Sequence, residues 1–303
     1  MFDEGFEIAK TTLIESLENF CKGIIECFGP SYLRRSTAED IQRLLHVGEA
    51  RGFPGMLGSI DCMHWQWKNC PVAWKGQYTR GHAKPTIILE AIASHDICIW
   101  HAFFGVARSN NDIIVLNQSP LFIAQRQGIA PEVHFTINGN EYDMSYYLAD
   151  GIYPEWAAFA KTFSLPQSEK HKLYAEKQES ARKDIECAFG ALQARFAIIR
   201  TPVRQWHTRT LGELMYACIF MHNMIIEDER DSYKSRHDYN YDAYEHGTST
   251  VLLNAYGHGP IDGFDRVLEI GVVIRDKEMH RRLKNDLVEH IWQKFGGNQV
   301  VLE

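Results

Sequence analysis

Three acidic residues carry the chemistry this chain can be expected to do: Asp61 in GSIDCMHW, Asp150 in YYLADGIYPEW and Glu186 in ARKDIECAFG. The first two stand at the ends of strand-like segments, and the third lies on a strongly helical stretch, with 35 residues between Asp150 and Glu186. Carboxylates brought together this way suit a pair of divalent cations working on phosphodiesters. Mg²⁺ is typically held by few carboxylates plus substrate phosphates and waters. Two ions roughly 3.5–4 Å apart stabilise both the attacking and the leaving oxygen of an in-line displacement.

The elements that must position them follow from periodicity. Residues 5–29 repeat Phe6, Ile8, Leu13, Leu17, Phe20, Ile24 and Phe28 mostly at three- and four-residue steps, which predicts a helix ended by Gly29-Pro30. Ser36, followed three residues later by Glu39, reads as the N-cap of a short helix to about His46. Strands are expected over 57–67, 85–93, 97–106, 133–137 and 143–149, with a helix over 110–126 between them. Beyond Asp150 the pattern turns helical: a short segment opens at Pro154, and a long helix over 167–196 has its N-cap near Ser168. On that helix Ile185, Phe189, Leu192 and Phe196 share a buried face, with Glu186 on its flank. Further helices are expected over 211–227 and 276–295, separated by an acidic, Tyr-rich loop over 228–250 that reads as mobile. Strands, helix, a strand bearing the second carboxylate and a helix bearing the third give the order of an α/β, RNase H-like mixed sheet flanked by helices. The expected division is a helical N-terminal remnant over 1–50, a catalytic domain over 51–230, and an acidic loop with a helical extension over 231–303.

Composition narrows the class. The 303 residues are 45% hydrophobic and 23% charged, a globular balance. No apolar run approaches the roughly 18 residues of a membrane span, so no membrane partner is expected. Seven cysteines, at 21, 27, 62, 70, 98, 187 and 218, form no CxxC pair and fit free thiols in cytosol or nucleus. The net charge of −7 argues against an autonomous nucleic-acid binder, but it is unevenly spread. Residues 160–210 hold ten Lys/Arg against five Asp/Glu, and residues 62–110 hold five against two. A phosphate-binding surface needs only a local positive field. Lys75, Arg80, His82 and Lys84 lie in a loop suited to phosphates. Arg182 and Lys183, four and three residues before Glu186, can pair with its carboxylate or with a phosphate.

GFPGMLGSIDCMHWQWKNCPVAWKGQYTRG, RSNNDIIVLNQSPLF, YYLADGIYPEW, ARKDIECAFGALQARFAIIRTP and YACIFMHNMIIEDER resemble, in that order, the transposases of plant PIF/Harbinger elements. They also resemble the Harbinger-derived nuclease-like proteins of the DDE superfamily. The resemblance runs from about residue 5 to the C-terminus and places the metal-binding triad at Asp61, Asp150 and Glu186. It implies an RNase H-like catalytic domain, two Mg²⁺ or Mn²⁺ ions, cleavage of transposon ends and strand transfer into TA-rich targets. It also implies a separate Myb-like DNA-binding partner that supplies nuclear import, with cytoplasmic residence in its absence, and a homo-oligomer is compatible with it. Family members look to carry a helix-turn-helix upstream of where this chain starts, so residues 5–46 are expected to be the remnant of a truncated region. The competing reading is a domesticated, catalytically silent protein that binds a Myb-like partner or a chromatin complex.

Remaining residues have two readings each. His64, three residues after Asp61, either contacts phosphate or metal-bound water or is a hydrogen-bonded strand histidine. Asp112 is an N-cap or an accessory metal ligand. Trp65, Trp67 and Trp74 either pack in the core and its rim or stack on bases. His222 reads as a structural hydrogen-bonding residue inside an apolar helix.

Overall fold

Met56–Gln66 forms β1, the central strand of the molecule. The computed structural model describes residues 9–79, 84–107, 115–116, 118–122, 133–234, 250–251 and 274–298. Thr86–Ala93 (β2) and Ile99–Ala107 (β3) follow as antiparallel neighbours. Val133–Ile137 (β4) and Asn140–Tyr142 (β5) form a hairpin, and Tyr146–Ala149 (β6) and Phe159–Lys161 (β7) return to the main sheet. β6 lies parallel to β1, and β7 lies parallel to β6. The five-stranded order is therefore β3-β2-β1-β6-β7, and β5-β4 pair with Thr250–Val251 (β8) in a second small sheet. Antiparallel strands on one side of β1 and parallel strands on the other, flanked by helices, make the RNase H-like α/β architecture.

Lys10–Phe28 (α1) and Ala38–Ala50 (α2) precede the sheet, and Lys75–Tyr78 (α3) lies between β1 and β2. Glu169–Arg195 (α4), Ala197–Arg200 (α5), Thr208–Lys234 (α6) and Lys277–Phe295 (α7) follow it. One core gathers Ile60, Leu148, Phe159, Tyr174 and Leu287 beside α2, the first half of α4 and α7. The other gathers Met63, Trp65, Trp67, Ile185, Leu192 and Met215 beneath the second half of α4 and α6. Burial of such large apolar side chains contributes about 1.5–3 kcal/mol each and holds the helices on the sheet.

Several expectations shift. The α2 cap is Thr37, not Ser36: its Oγ1 accepts from Asp40 N, while Asp40 Oδ2 accepts from Thr37 N and is also held by Arg34 at 2.7 Å. The shorter Asp40 closes a capping box one residue later than the one expected with Glu39. The helix then runs past His46 to Ala50, because Leu44, Leu45 and Gly48 continue its buried face. No helix opens at Pro154. The chain turns and enters β7, whose backbone pairs with β6. The expected strand over 143–149 begins only at Tyr146, and Asn138-Gly139, both at positive φ, close the β4–β5 hairpin. The helix expected to stop at 227 continues to Lys234, which replaces the first part of the loop expected from 228. Of the expected helix 110–126, residues 115–116, 118 and 120–122 are helical and Ser119 is not; the rest, Asp112 included, lies outside the described residues. None of the helices among the described residues is long and apolar enough to cross a membrane.

Candidate active site

Strand register and one helix contact bring the three acids to one region of the sheet; Asp61, expected at the end of a strand, stands midway along β1, because the ladder with β2 continues to Gln66. Ser59 on β1 stands opposite Leu148 on β6, so two residues further along each chain Asp61 comes beside Asp150, just past the end of β6. Adjacent strands lie about 4.8 Å apart. Gly58, at φ 153°, carries a bulge just before this pair, and a Cβ there would come within 2.7 Å of Ala93 O. Ser59 Oγ donates to Ala181 O of α4 at 3.1 Å, pinning the helix to the strand on the face that Asp61 shares. One residue on, the Arg182 guanidinium lies 3.5 Å from Asp61 Oδ2 and 2.8 Å from Glu186 Oε1.

The three acids differ in exposure. The Asp61 side chain is 23% exposed and that of Glu186 47%, so the first is held by its surroundings and the second is free to reach solvent. Asp61 Oδ1 accepts from Cys62 N at 2.8 Å, and an Asp150 carboxylate oxygen accepts from Gly151 N. Burial holds the Asp61 carboxyl above its ordinary range; the Cys62 N–H and Arg182 pull it down, and the negative charge of Asp150 and Glu186 pushes it up. Such a cluster is short of positive charge, and in this structure Arg182 supplies it. Among the described residues no three His, Cys, Asp or Glu side chains stand close enough to enclose an ion.

Several residues that position the site stand out little or not at all in the sequence. Gln178, fully buried on α4, donates from Nε2 to Ala149 O and Ala160 O at 3.1 Å each, tying the helix to the ends of β6 and β7 next to Asp150. Lys161, paired in register with Ala149, brings a half-buried ammonium near Asp150 and Glu155; burial pushes it down and those carboxylates pull it up. Asp184 is acidic and close to Glu186 in sequence, but Arg51 and His95 engage it. A polar residue eight positions before Glu186 in an apolar helix face was the only available hint of Gln178.

The other expected site residues are scattered. The pleat of β1 turns His64 to the face opposite Asp61, where Cys62 Sγ also meets the Tyr153 hydroxyl at 3.5 Å. Lys75, Lys84 and Lys183 are exposed, and Arg182 is engaged by the two carboxylates. Arg80, His82 and Asp112 lie outside the described residues. Trp65 and Trp67 are buried, while Trp74 is 42% exposed. His222 is a fully buried structural residue, with Nε2 2.9 Å from Ile97 O and Nδ1 3.2 Å from Arg195, and burial lowers its basicity.

An RNase H-like sheet with one acid midway along its first strand, a second just past its fourth and a third on the following helix is the architecture expected of a transposase-like protein. The family described as plant transposon protein matches residues 30–233, and the chain belongs to it. It is similar to "Protein ALP1-like" of Arabidopsis thaliana, at 25% identity over 209 residues, which cover 63% of this chain. The matched region spans about half of that relative, 49% of its length. No solved structure matches the chain.

Proposed function

We propose that this chain is the catalytic part of a DDE-type transposase or nuclease that cleaves DNA phosphodiesters and joins the freed 3′ end to target DNA. The observation that carries the reading is the register of β1 on β6, which sets Asp61 beside Asp150 while the Ser59–Ala181 contact aims Glu186 from α4. Three carboxylates and no sulfur or imidazole form a donor set suited to hard divalent cations such as Mg²⁺ or Mn²⁺. Burial raises the Asp61 carboxyl, and the charges of Asp150 and Glu186 add to that rise. Asp61, Asp150 and Glu186 would hold the ions, which supply an activated water and stabilise the leaving oxygen when bound.

The chain's own residues do the rest. Asp61 is oriented by the Cys62 N–H, and Gln178 fixes the strand ends that carry Asp150. Arg182 neutralises the acids when no cation is present, and Lys161 adds positive potential beside Asp150. In this reading a separate Myb-like protein supplies end recognition and nuclear entry, in keeping with the net charge of −7. One observation favours the alternative of a silent interaction protein: Arg182 already satisfies two of the three carboxylates.

The two are separated by a Mg²⁺- or Mn²⁺-dependent nicking assay on supercoiled DNA, with Asp61→Asn and Glu186→Gln as controls. Nicking lost in both variants, with unchanged circular dichroism, supports the nuclease. Equal rates in wild type and variants remove the triad from the chemistry, and no nicking by the wild type with a Myb-like partner present favours the silent protein.

A further inference from the structure

Residues 62–89 and 187–212 together hold eight Lys or Arg and no Asp or Glu. The fold lays one stretch against the other. Trp65 Nε1 donates to Thr201 O at 3.0 Å, Trp67 Nε1 to Gln205 O at 2.7 Å and Asn69 Nδ2 to Arg204 O at 2.7 Å. Lys68 N donates to Val203 O at 2.8 Å, and Val203 N to Gln66 O at 2.9 Å. Residues 65–69 and 201–205 thus form one fixed ledge that continues from the strand bearing Asp61.

Its cations are free to bind. Arg195 and Arg209 are taken by Glu229 and Glu213. Lys68, Lys75, Lys84, Arg200 and Arg204 are exposed, and none is ion-paired among the described residues. Trp206 is 59% exposed and directly follows the carbonyl that Trp67 anchors. Trp74 packs its ring 6.1 Å from that of Trp67. Large indoles held in water among unpaired cations match the stacking-plus-phosphate chemistry of nucleic-acid surfaces.

We propose that this ledge is a second DNA-binding element, which neutralises phosphates of a strand leading away from the triad and stacks an unpaired base on Trp206. Trp65 on β1 and Trp67 just past its end lie four and six residues from Asp61, a path of about 13–20 Å. That spacing corresponds to roughly four to six nucleotides from the scissile phosphate. The inference rests on the nuclease reading for the identity of the ligand as DNA, but its test uses binding without cleavage.

The experiment is fluorescence anisotropy of the full chain with a labelled duplex carrying a single-stranded tail, and with a blunt duplex, over a salt titration without divalent cation. R200A/R204A should lower the slope of log affinity against log salt by about 1.5, since each phosphate contact contributes about 0.7–0.9. R200K/R204K should restore it. W206A should weaken the tailed DNA about tenfold and leave the blunt duplex unchanged. Wild-type slope and affinity in R200A/R204A and W206A, or no DNA binding by the wild type, overturns the proposal. Mg²⁺-dependent nicking is measured in parallel. Binding defects without any wild-type nicking keep the ledge and remove the nuclease; wild-type nicking with undiminished variant binding does the reverse.

Discussion

Replacing Arg182 by Met removes the charge that bridges Asp61 and Glu186 and keeps an unbranched aliphatic side chain. The Asp61 pair is the part that matters: its atoms are 3.5 Å apart, with side chains 18% and 23% exposed. At an effective dielectric of about 20, a pair at that distance attracts by roughly 5 kcal/mol before desolvation is subtracted. Breaking a buried pair by removing one partner costs up to about 3–5 kcal/mol. Asp61 keeps its Cys62 N–H and some water, so a loss of about 1–3 kcal/mol at pH 7 is expected. Glu186 is nearly half exposed, and its pair with Arg182 adds no more than about 0.5 kcal/mol. The sign with pH is fixed by direction. The folded Asp61 carboxyl already lies above its unfolded range because of burial, and losing Arg182 raises it further. Its ionised form is then the destabilised one, so the Arg182→Met penalty is full above the folded Asp61 value and fades as pH falls through it. Urea unfolding at pH 7 and pH 4 of wild type, Arg182→Met, Asp61→Asn and the double variant closes the cycle. A coupling of about 1–2 kcal/mol at pH 7 that shrinks at pH 4 is expected. Equal cost of Arg182→Met with and without Asp61, at both pH values, refutes the electrostatic account of the site.

Glu90 is fully buried with His101 Nε2 at 3.3 Å, and His101 also meets Ser119 Oγ at 3.2 Å. His101→Ala should destabilise by about 1–3 kcal/mol in a thermal melt, and His101→Ala with Glu90→Leu should recover most of that, because no buried carboxyl is left without a polar neighbour. Asn223 clamps Ile99 by accepting its N–H at 2.9 Å and donating to its C=O at 2.8 Å. Asn223→Ala leaves both backbone groups buried and unpaired; a loss of about 2–4 kcal/mol in urea unfolding is expected, with faster amide exchange at Ile99. Burial, with Lys161 nearby, lowers Lys284 to about 8 from 10.5. The folded protein therefore binds fewer protons than the unfolded one between those values, and stability gains a rising contribution from about pH 8 to 10.5. Melting temperatures of Lys284→Met across that window should lack that rise.

What the sequence disclosed was local. The α4 boundary at Ser168 and the α7 start at Asp276 were readable because capping and 3.6-residue periodicity reside in neighbouring residues. Of the acids, Asp150 follows the end of β6 and Glu186 lies on the flank of α4, as expected, whereas Asp61, expected at a strand end, stands midway along β1 because pairing with β2 carries that strand on to Gln66. β7 was not: three residues between turns carry no period, and only pairing with β6 makes Phe159–Lys161 a strand. Gln178, Ser59 and Asn223 were invisible for the same reason, since each is defined by bonds to residues 18 to 124 positions away. The Ser36 cap failed by one residue because Ser36-Glu39 and Thr37-Asp40 have the same spacing, and Arg34 decides between them by holding Asp40.

The distribution of burial among the acids fits a site built from one fixed and one adjustable side. Asp61 sits on backbone that the sheet cannot move without losing its ladder, Asp150 directly follows β6, and Gln178 ties β6 to β7 beside it. Glu186 sits on a helix whose buried neighbours Ile185 and Phe189 already fix the backbone, so its half-exposed side chain can turn without disturbing the core. Arg182 on the same helix face spans both sides, which makes it the natural counter-charge of the resting site. Swinging it away would exchange one neutralising partner for another while the strand register, which sets the chemistry, stays as it is.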